Sequence, residues 1–410
     1  MADFSGHRPG DPEFRLVQLG LFMGGFAMFV QIFDVQAVLP AISQDFGVSA
    51  ATAALTVSAA SAGIALSVIP WALTSDRIGR VPVMKTAILG SGLIGLLSPF
   101  SPTLVLLIAS RFIIGLSLGA IVAVSMAYLA EEIDSAHIAA AAAMFVSGNG
   151  VGALTGRVVA GLVGEWTTWR IGIGTLAVVA FGMAVAFIFV VPRSRRFVPA
   201  APGGVRRLPR ALGRLARDGG LLSFFAATFI LTATVSVAYN YVGYRLLTPQ
   251  FGVDTRLAVL VYLVFALGSA SVFLVSRIVG RFGRVRILIV AFVVGAIGTQ
   301  LLNIGRLPVL IIGLAMVTVG SFPGQALISG WVAPRAGKDR AIATAVYQLV
   351  GQTGSAVLGW SVGLLFGLWG WTSVTSYLLA GFLILLALSW TSFMGVERGE
   401  RRMASARTSS

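Results

Sequence analysis

The 410 residues are 57% hydrophobic and 11% charged, with a mean hydropathy of +0.91. Soluble domains carry roughly 25% charged residues, so this balance excludes a water-soluble fold, and the absence of ten-residue alternating segments excludes a membrane β-barrel. With no cysteine and only two histidines, disulfides, thiol chemistry and metal-ligand clusters have no residues to draw on; neither enzymatic activity nor a cofactor is expected.

The first fifteen residues are polar, include Pro9 and Pro12, and lack a cleavable signal pattern. A bilayer core about 30 Å thick takes about 20 apolar residues in a helix. On that length the chain predicts an all-α membrane protein of twelve helices: 16–39, 51–73, 83–99, 103–127, 138–163, 171–192, 220–245, 256–277, 285–303, 308–331, 340–363 and 372–393. They group into an N-terminal six-helix bundle (1–192), a basic cytoplasmic linker (193–219) with a surface helix over 206–217, a C-terminal six-helix bundle (220–393) and a cytoplasmic tail (394–410).

The formal charge is +15, and 28 of the 30 bases are arginine. Nucleic-acid binding is the tempting reading, but cytoplasmic loops of membrane proteins collect Lys and Arg. With the N-terminus inside, 24 bases fall on inside segments and four, Arg170, Arg245, Arg256 and Arg306, fall outside. Both termini are therefore expected in the cytoplasm, in a bacterial inner membrane, with the bilayer and not nucleic acid as the partner of the basic charge.

The two halves echo one another. Arg281, Gly283, Arg284 and Val285 stand 204 positions after Arg77, Gly79, Arg80 and Val81. "DFGVSAATAAL" at 45–55 resembles "QFGVDTRLAVL" at 250–260, and "SGNGVGA" at 147–153 falls opposite "GQTGSAV" at 351–357. Parallel repeats joined by a cytoplasmic linker are a transporter architecture that holds substrate near the bilayer midplane.

The motifs that carry chemistry give a family resemblance. "ALTSDRIGRVPV" resembles the loop between helices two and three of the major facilitator superfamily, with Asp76, Arg77, Gly79 and Arg80 matching and Ala72 and Thr74 departing. "RFIIGLSLGA" at 111–120 resembles the fourth-helix signature, which begins with a buried arginine. "GALTGRVVAG" at 152–161 resembles the fifth-helix antiporter signature, with Arg157 in place of its proline and Ala160 in place of a glycine. "DVQAVLP" and "YNYVGYRL" resemble YnfM-type exporters of the twelve-span drug:proton antiporter branch. The resemblance implies two pseudo-symmetric six-helix bundles and transport by alternating access.

Two constellations follow. The first is a conformational latch. Asp76, at the end of helix two, is expected to face the start of helix eleven, with Arg77 and Arg80 as Coulomb partners and Gly79 as the turn. A helix N-terminus favours a carboxylate by about 0.3–1 kcal/mol. The second copy has Gly280 where the acid belongs, while Glu131, Glu132 and Asp134 crowd the loop after helix four. These acids are expected to reach Arg281 or Arg284 when the cytoplasmic side is closed; the alternative is a solvated acidic loop.

The second constellation is buried. Asp34 is the one acid inside a predicted span, and Arg111 and Arg157 are the two bases away from the span ends. A charge at the bilayer centre costs at least about 2.5–3.5 kcal/mol. At 1.5 Å per residue all three lie at similar depth. Either Asp34 neutralises Arg157 and the trio fixes packing, or Asp34 carries a coupling proton that Arg111 tunes. Gln31 and Gln36, with Tyr239, Asn240, Tyr241, Gln325 and Gln348, are candidate substrate contacts; interhelical hydrogen bonding is the alternative for each. No Gly-Lys-Ser/Thr follows the Gly-rich runs, so no ATP site is indicated. The expectation is a monomeric, proton-coupled exporter of small amphiphilic compounds. A uniporter or symporter of a sugar-like or anionic metabolite, and a non-transporting sensor or scaffold, stay open.

Overall fold

The computed structural model describes residues 6–197, 199, 204–251 and 258–397. Arg256, the expected start of the eighth helix and most of the tail lie outside the described residues. Two compact units emerge: Met1–Arg207 together with Asp254–Tyr262, and Leu208–Val253 together with Leu263–Ser410. The division falls inside the basic linker, and a short stretch before the eighth helix groups with the first unit.

Eleven apolar helical runs are long enough to cross a membrane among the described residues. One, Leu307–Trp369, is 63 residues long. At 1.5 Å per residue it would be about three bilayers deep, and it is two helices joined by a 3-10 turn at Gly337–Asp339. Twelve passes result.

In the first unit the helices are α1 (Pro12–Phe33), α2 (Leu39–Phe46), α3 (Ala50–Ile78), α4 (Arg80–Leu97), α5 (Leu104–Glu132), α6 (Ile138–Trp166) and α7 (Trp169–Val190). Three start on a side-chain cap: the oxygens of Ser49, Thr103 and Thr168 accept from the amides of Thr52, Leu106 and Ile171, replacing intrahelical partners that first-turn amides lack. The main seams are α3 on α5 and α1 on α6. Without a hydrophobic drive between helices in lipid, close backbone approach has to supply the contact. Gly148, Gly152 and Gly156 form one stripe of α6 on which Phe22, Phe26 and Val30 of α1 rest.

The first span departs from the expected continuous helix 16–39. It stops at Phe33, runs through turns at 34–38 and restarts as α2. Pro40 explains the break, because it has no N–H for the carbonyl of Gln36. The turn amides bond three residues back instead: Gln36 to the carbonyl of Phe33 at 3.1 Å and Val38 to that of Val35 at 3.2 Å.

The linker helix α8 (Gly204–Leu215) precedes the second unit's spans. These are α9 (Gly219–Leu246), a 3-10 segment Val259–Phe265, whose residues up to Tyr262 group with the first unit, leading into α10 (Ala266–Phe282), α11 (Arg284–Leu301), α12 (Leu307–Ala336), α13 (Arg340–Trp369) and α14 (Trp371–Leu388). Arg214 of α8 grips Asp339 through two nitrogens at 2.7 and 2.8 Å. Asp218 caps α9 at the amides of Gly220 and Leu221 and accepts from Arg335 at 2.7 Å. Burial pushes this carboxyl up, but Arg335 and the two amides outweigh it and hold it below the usual carboxylate range. The repeat is visible in the backbone: Gly79 and Gly283, 204 positions apart, both close a helix with positive φ, +103° and +83°, which costs a glycine nothing.

The α1–α6 seam gives a direct test. A Cβ on Gly152 would lie 2.5 Å from the Phe26 carbonyl oxygen, with backbone on the other side of the contact. Gly152→Leu should destabilise the first unit by about 1–3 kcal/mol or more, read as a lower unfolding midpoint in detergent, whereas Gly182→Leu, in open space on α7, should leave the midpoint unchanged.

Candidate functional site

Breaking α1 leaves carbonyl oxygens at its end with no amide to bond, and no water reaches them inside a bilayer. The side chain that fills the gap is Arg111, from the first third of α5. One of its terminal nitrogens donates to the carbonyls of Gln31 and, at 3.2 Å, of Ile32. The same nitrogen is 2.9 Å from Asp34 Oδ1. The direct hydrogen bond to the carboxylate, from the other terminal nitrogen to Oδ2, is long at 3.4 Å. Arg111 is thus oriented by backbone carbonyls and tied to Asp34 chiefly by charge. Both side chains are almost fully buried, 1% and 5% exposed.

Arg157 takes a different partner. Its Nε donates to Gln36 Oε1 at 2.6 Å, a terminal nitrogen bonds the Ala153 carbonyl at 2.8 Å, and its guanidinium lies 3.9 Å from the centre of the Phe33 ring. The buried ion pair with Asp34 falls to Arg111, not to Arg157. The carbonyl of Gln36, freed by Pro40, accepts from the hydroxyl of Tyr262 at 3.4 Å. Gln31 turns elsewhere: its amide donates to Ala27 and, at 3.3 Å, to Ser91 on α4.

The second unit's candidates divide by burial. Tyr239 shares a hydrogen bond with Thr318 of α12, and Tyr241 donates to the Gly359 carbonyl of α13, each at 2.8 Å. Both phenols, and Asn240, are fully buried. The two phenols tie α9 to its neighbours. Gln325 is half-buried, with its backbone carbonyl bonded by Tyr347, and Gln348 is exposed on α13.

At the other end of the first unit, the latch residues meet. Arg80 donates to Asp76 at 2.5 Å and to Ser75 at 2.6 Å, and its Nε reaches Glu131 at 3.0 Å. One guanidinium therefore joins the ends of α3, α4 and α5, while Gly79 makes the turn and Arg77 faces outward. Glu132, 1% exposed, accepts from the amides of Arg195 and Arg196 at 2.8 and 3.2 Å. Asp134 is bound by Arg8 at 3.0 Å, and the backbone of His7 bridges to Ile133. The three acids of this turn each hold a different segment of their own unit. Within the second unit, Arg281 lies over the ring of Phe282 and Arg284 over that of Trp331.

Sequence reasoning passed over Phe33, Tyr262 and the strap formed by His7 and Arg8. Pro40 is the signal for Tyr262, since it orphans the carbonyl four residues back; nothing local marks His7 or Arg8, whose partners lie about 125 positions away.

The Ala136 amide is the main cause that holds the Asp134 carboxyl below the usual range, and Arg8 adds to it. A carboxyl depressed on folding contributes stability above its ordinary value of about 3.9 and loses it as pH falls through the depressed value. Arg8→Gln should therefore shift the acid limb of the pH–stability curve toward higher pH and speed amide exchange at residues 6–11; an unchanged acid limb would show that the strap does not engage Asp134.

A family model described as Major Facilitator Superfamily matches residues 19–322. The inner membrane transport protein YnfM of Escherichia coli (strain K12) is 36% identical over 92% of this chain and 90% of its own length. YybF, an MFS-type transporter of Bacillus subtilis (strain 168), is 31% identical over 96% and 98% of the two chains. Among solved structures, a bacterial homologue of the human lysosomal transporter Spinster aligns with a TM-score of 0.73 at 13% identity, covering 95% of this chain and 98% of that one; this likeness concerns the fold.

Proposed function

Because the chain belongs to the Major Facilitator Superfamily, and is accordingly a multi-pass membrane transporter of small molecules, we propose that it works as a proton-coupled exporter of small amphiphilic compounds, with Asp34 as the proton carrier. The observation that carries this reading is how Arg111 is held. One terminal nitrogen bonds the carbonyls of Gln31 and Ile32, so Arg111 keeps backbone partners whatever the charge of Asp34. The carboxylate is attached mainly by Coulomb attraction. Asp34 can gain or lose a proton without unseating the arginine, and each change alters the net charge at the break in α1 by one. Arg157 and Gln36 act as the second anchor of the same break.

The latch belongs to the same cycle. Asp76, Arg80 and Glu131 make the ends of α3, α4 and α5 move as one body, which alternating access needs from each bundle. To the same latch we assign Arg77, Glu132 and Asp134 of the first unit and Arg281 and Arg284 of the second, as charges that exchange partners during the cycle.

A second reading keeps the site and changes the cargo. The break in α1 gathers two guanidiniums and one carboxylate, a positive balance that favours an organic anion moved together with the proton.

The deciding measurement uses proteoliposomes with an imposed pH gradient and ethidium as the amphiphilic probe, beside an aromatic carboxylate for the second reading. Removing one partner of a buried ion pair costs about 3–5 kcal/mol as a rule; here Asp34→Asn should cost less, because Arg111 keeps its carbonyl partners. The mutant should fold, exchange probe down its gradient and fail to respond to pH. Gradient-driven transport by Asp34→Asn at the wild-type rate would remove Asp34 as the carrier. Asp76→Asn should insert normally and slow the transport of either probe, and wild-type rates in that mutant would show that the corner has no part in the cycle.

A further inference from the structure

The two repeat corners differ in how their arginines are neutralised. In the first unit Arg80 sits between Asp76 and Glu131. In the second unit Gly280 stands where the acid would be, and Arg277, Arg281, Arg284 and Arg286 lie within ten residues. Among the described residues no carboxylate forms a salt bridge with any of the four. Three of the guanidiniums rest on rings instead: Arg277 is 4.3 Å from the centre of Phe273, with Arg281 over Phe282 and Arg284 over Trp331.

Position along the helix adds a second observation. Phe273, Arg277 and Arg281 follow one another at four-residue spacing, which places them on one face of α10. Phe273 is 61% exposed, Leu274 beside it is 60% exposed, and Arg277, Arg281 and Arg286 are exposed as well. The face is therefore apolar within the span and cationic where the span ends, on the side that the charge count assigns to the cytoplasm. That order of chemistry matches a phospholipid, with acyl chains against Phe273 and Leu274 and a phosphate at the guanidiniums. Arginine suits it, since its planar fork bonds phosphate oxygens in pairs and stacks on rings.

We propose that this face of α10, with Arg286 of the first turn of α11 beyond it, binds an anionic phospholipid of the cytoplasmic leaflet, Arg277 and Arg281 taking the phosphate and Arg286 adding positive charge. The lipid supplies the negative charge that Asp76 and Glu131 supply in the first unit. Retention of basic residues on inside loops accounts for the arginines being there, but not for an acid-free stripe continued by exposed aromatic and leucine side chains.

The test uses the full-length protein reconstituted in phosphatidylcholine with or without phosphatidylglycerol, then transferred to detergent, with co-purifying lipid measured by native mass spectrometry. Wild-type protein should keep phosphatidylglycerol in preference to phosphatidylcholine. R277Q/R281Q/R286Q should keep about fivefold less per arginine removed, from roughly 1 kcal/mol per surface base. If the triple variant elutes as aggregate, R281Q alone should show the single fivefold loss. Equal retention of the two lipids, wild-type retention by the folded variants, or displacement of phosphatidylglycerol by millimolar inorganic phosphate would overturn the proposal, the last by identifying a site for free phosphate.

Discussion

Unwinding a helix inside a bilayer strands carbonyl oxygens that water cannot reach, and at residues 34–38 this chain answers with a guanidinium from a neighbouring helix. Arg111 caps α1 at Gln31 and Ile32. Only because that cap is in place can Asp34 sit at the break as a buried acid with a charge partner at 2.9 Å. Arg157 secures the following turn through Gln36 and Phe33, and the glycine stripe of α6 lets α1 approach closely enough for Arg157 to reach it. Backbone geometry, burial and ionisable chemistry meet in a few residues. A change at Pro40 or Arg111 would therefore be felt as a change in helix shape before it was felt as a change in charge.

The ends of the two units show one repeat with two electrostatic solutions. Gly79 and Gly283 make the same turn with the same sign of φ. Around the first, carboxylates from α3 and α5 hold Arg80; around the second, aromatic rings carry Arg277, Arg281 and Arg284. Ring contacts orient a cation without neutralising it. The first corner is closed within its own unit, and the second leaves positive charge available to something else.

Hydropathy made twelve passes legible because span length is set by the bilayer and not by tertiary contacts. The repeat offset also foretold where the paired glycine turns lie. Asp34, Arg111 and Arg157 stood out as the charges in spans, and the structure does gather them. Their pairing was not legible. Depth alone set Asp34 near both arginines, whereas the choice between them depends on the break after Phe33, which a continuous-helix reading hides although Pro40 was in view. Of the acids at 131–134, Glu131 meets Arg80 of the signature loop, whereas Glu132 takes two backbone amides and Asp134 takes Arg8. Backbone amides carry no sequence signature, and Arg8 reads as one more inside charge. Tyr239 and Tyr241 looked like cavity residues because a phenol in a span has the same letter whether it meets a ligand or a neighbouring helix.

The acidic turn after α5 has a consequence for the order in which the protein is made. His7 and Arg8 leave the ribosome well ahead of the residues that hold them, Ile133 and Asp134, which follow some 125 positions later. Glu132 then waits for the amides of Arg195 and Arg196, beyond the sixth span. This rim of the first unit cannot close until residue 196 has emerged, by which time six spans are available to pack. A nascent chain arrested earlier would hold Glu132 without those amides. The turn thus ties the stretch ahead of the first span to the stretch after the sixth, so that one short acidic segment closes both ends of the first bundle.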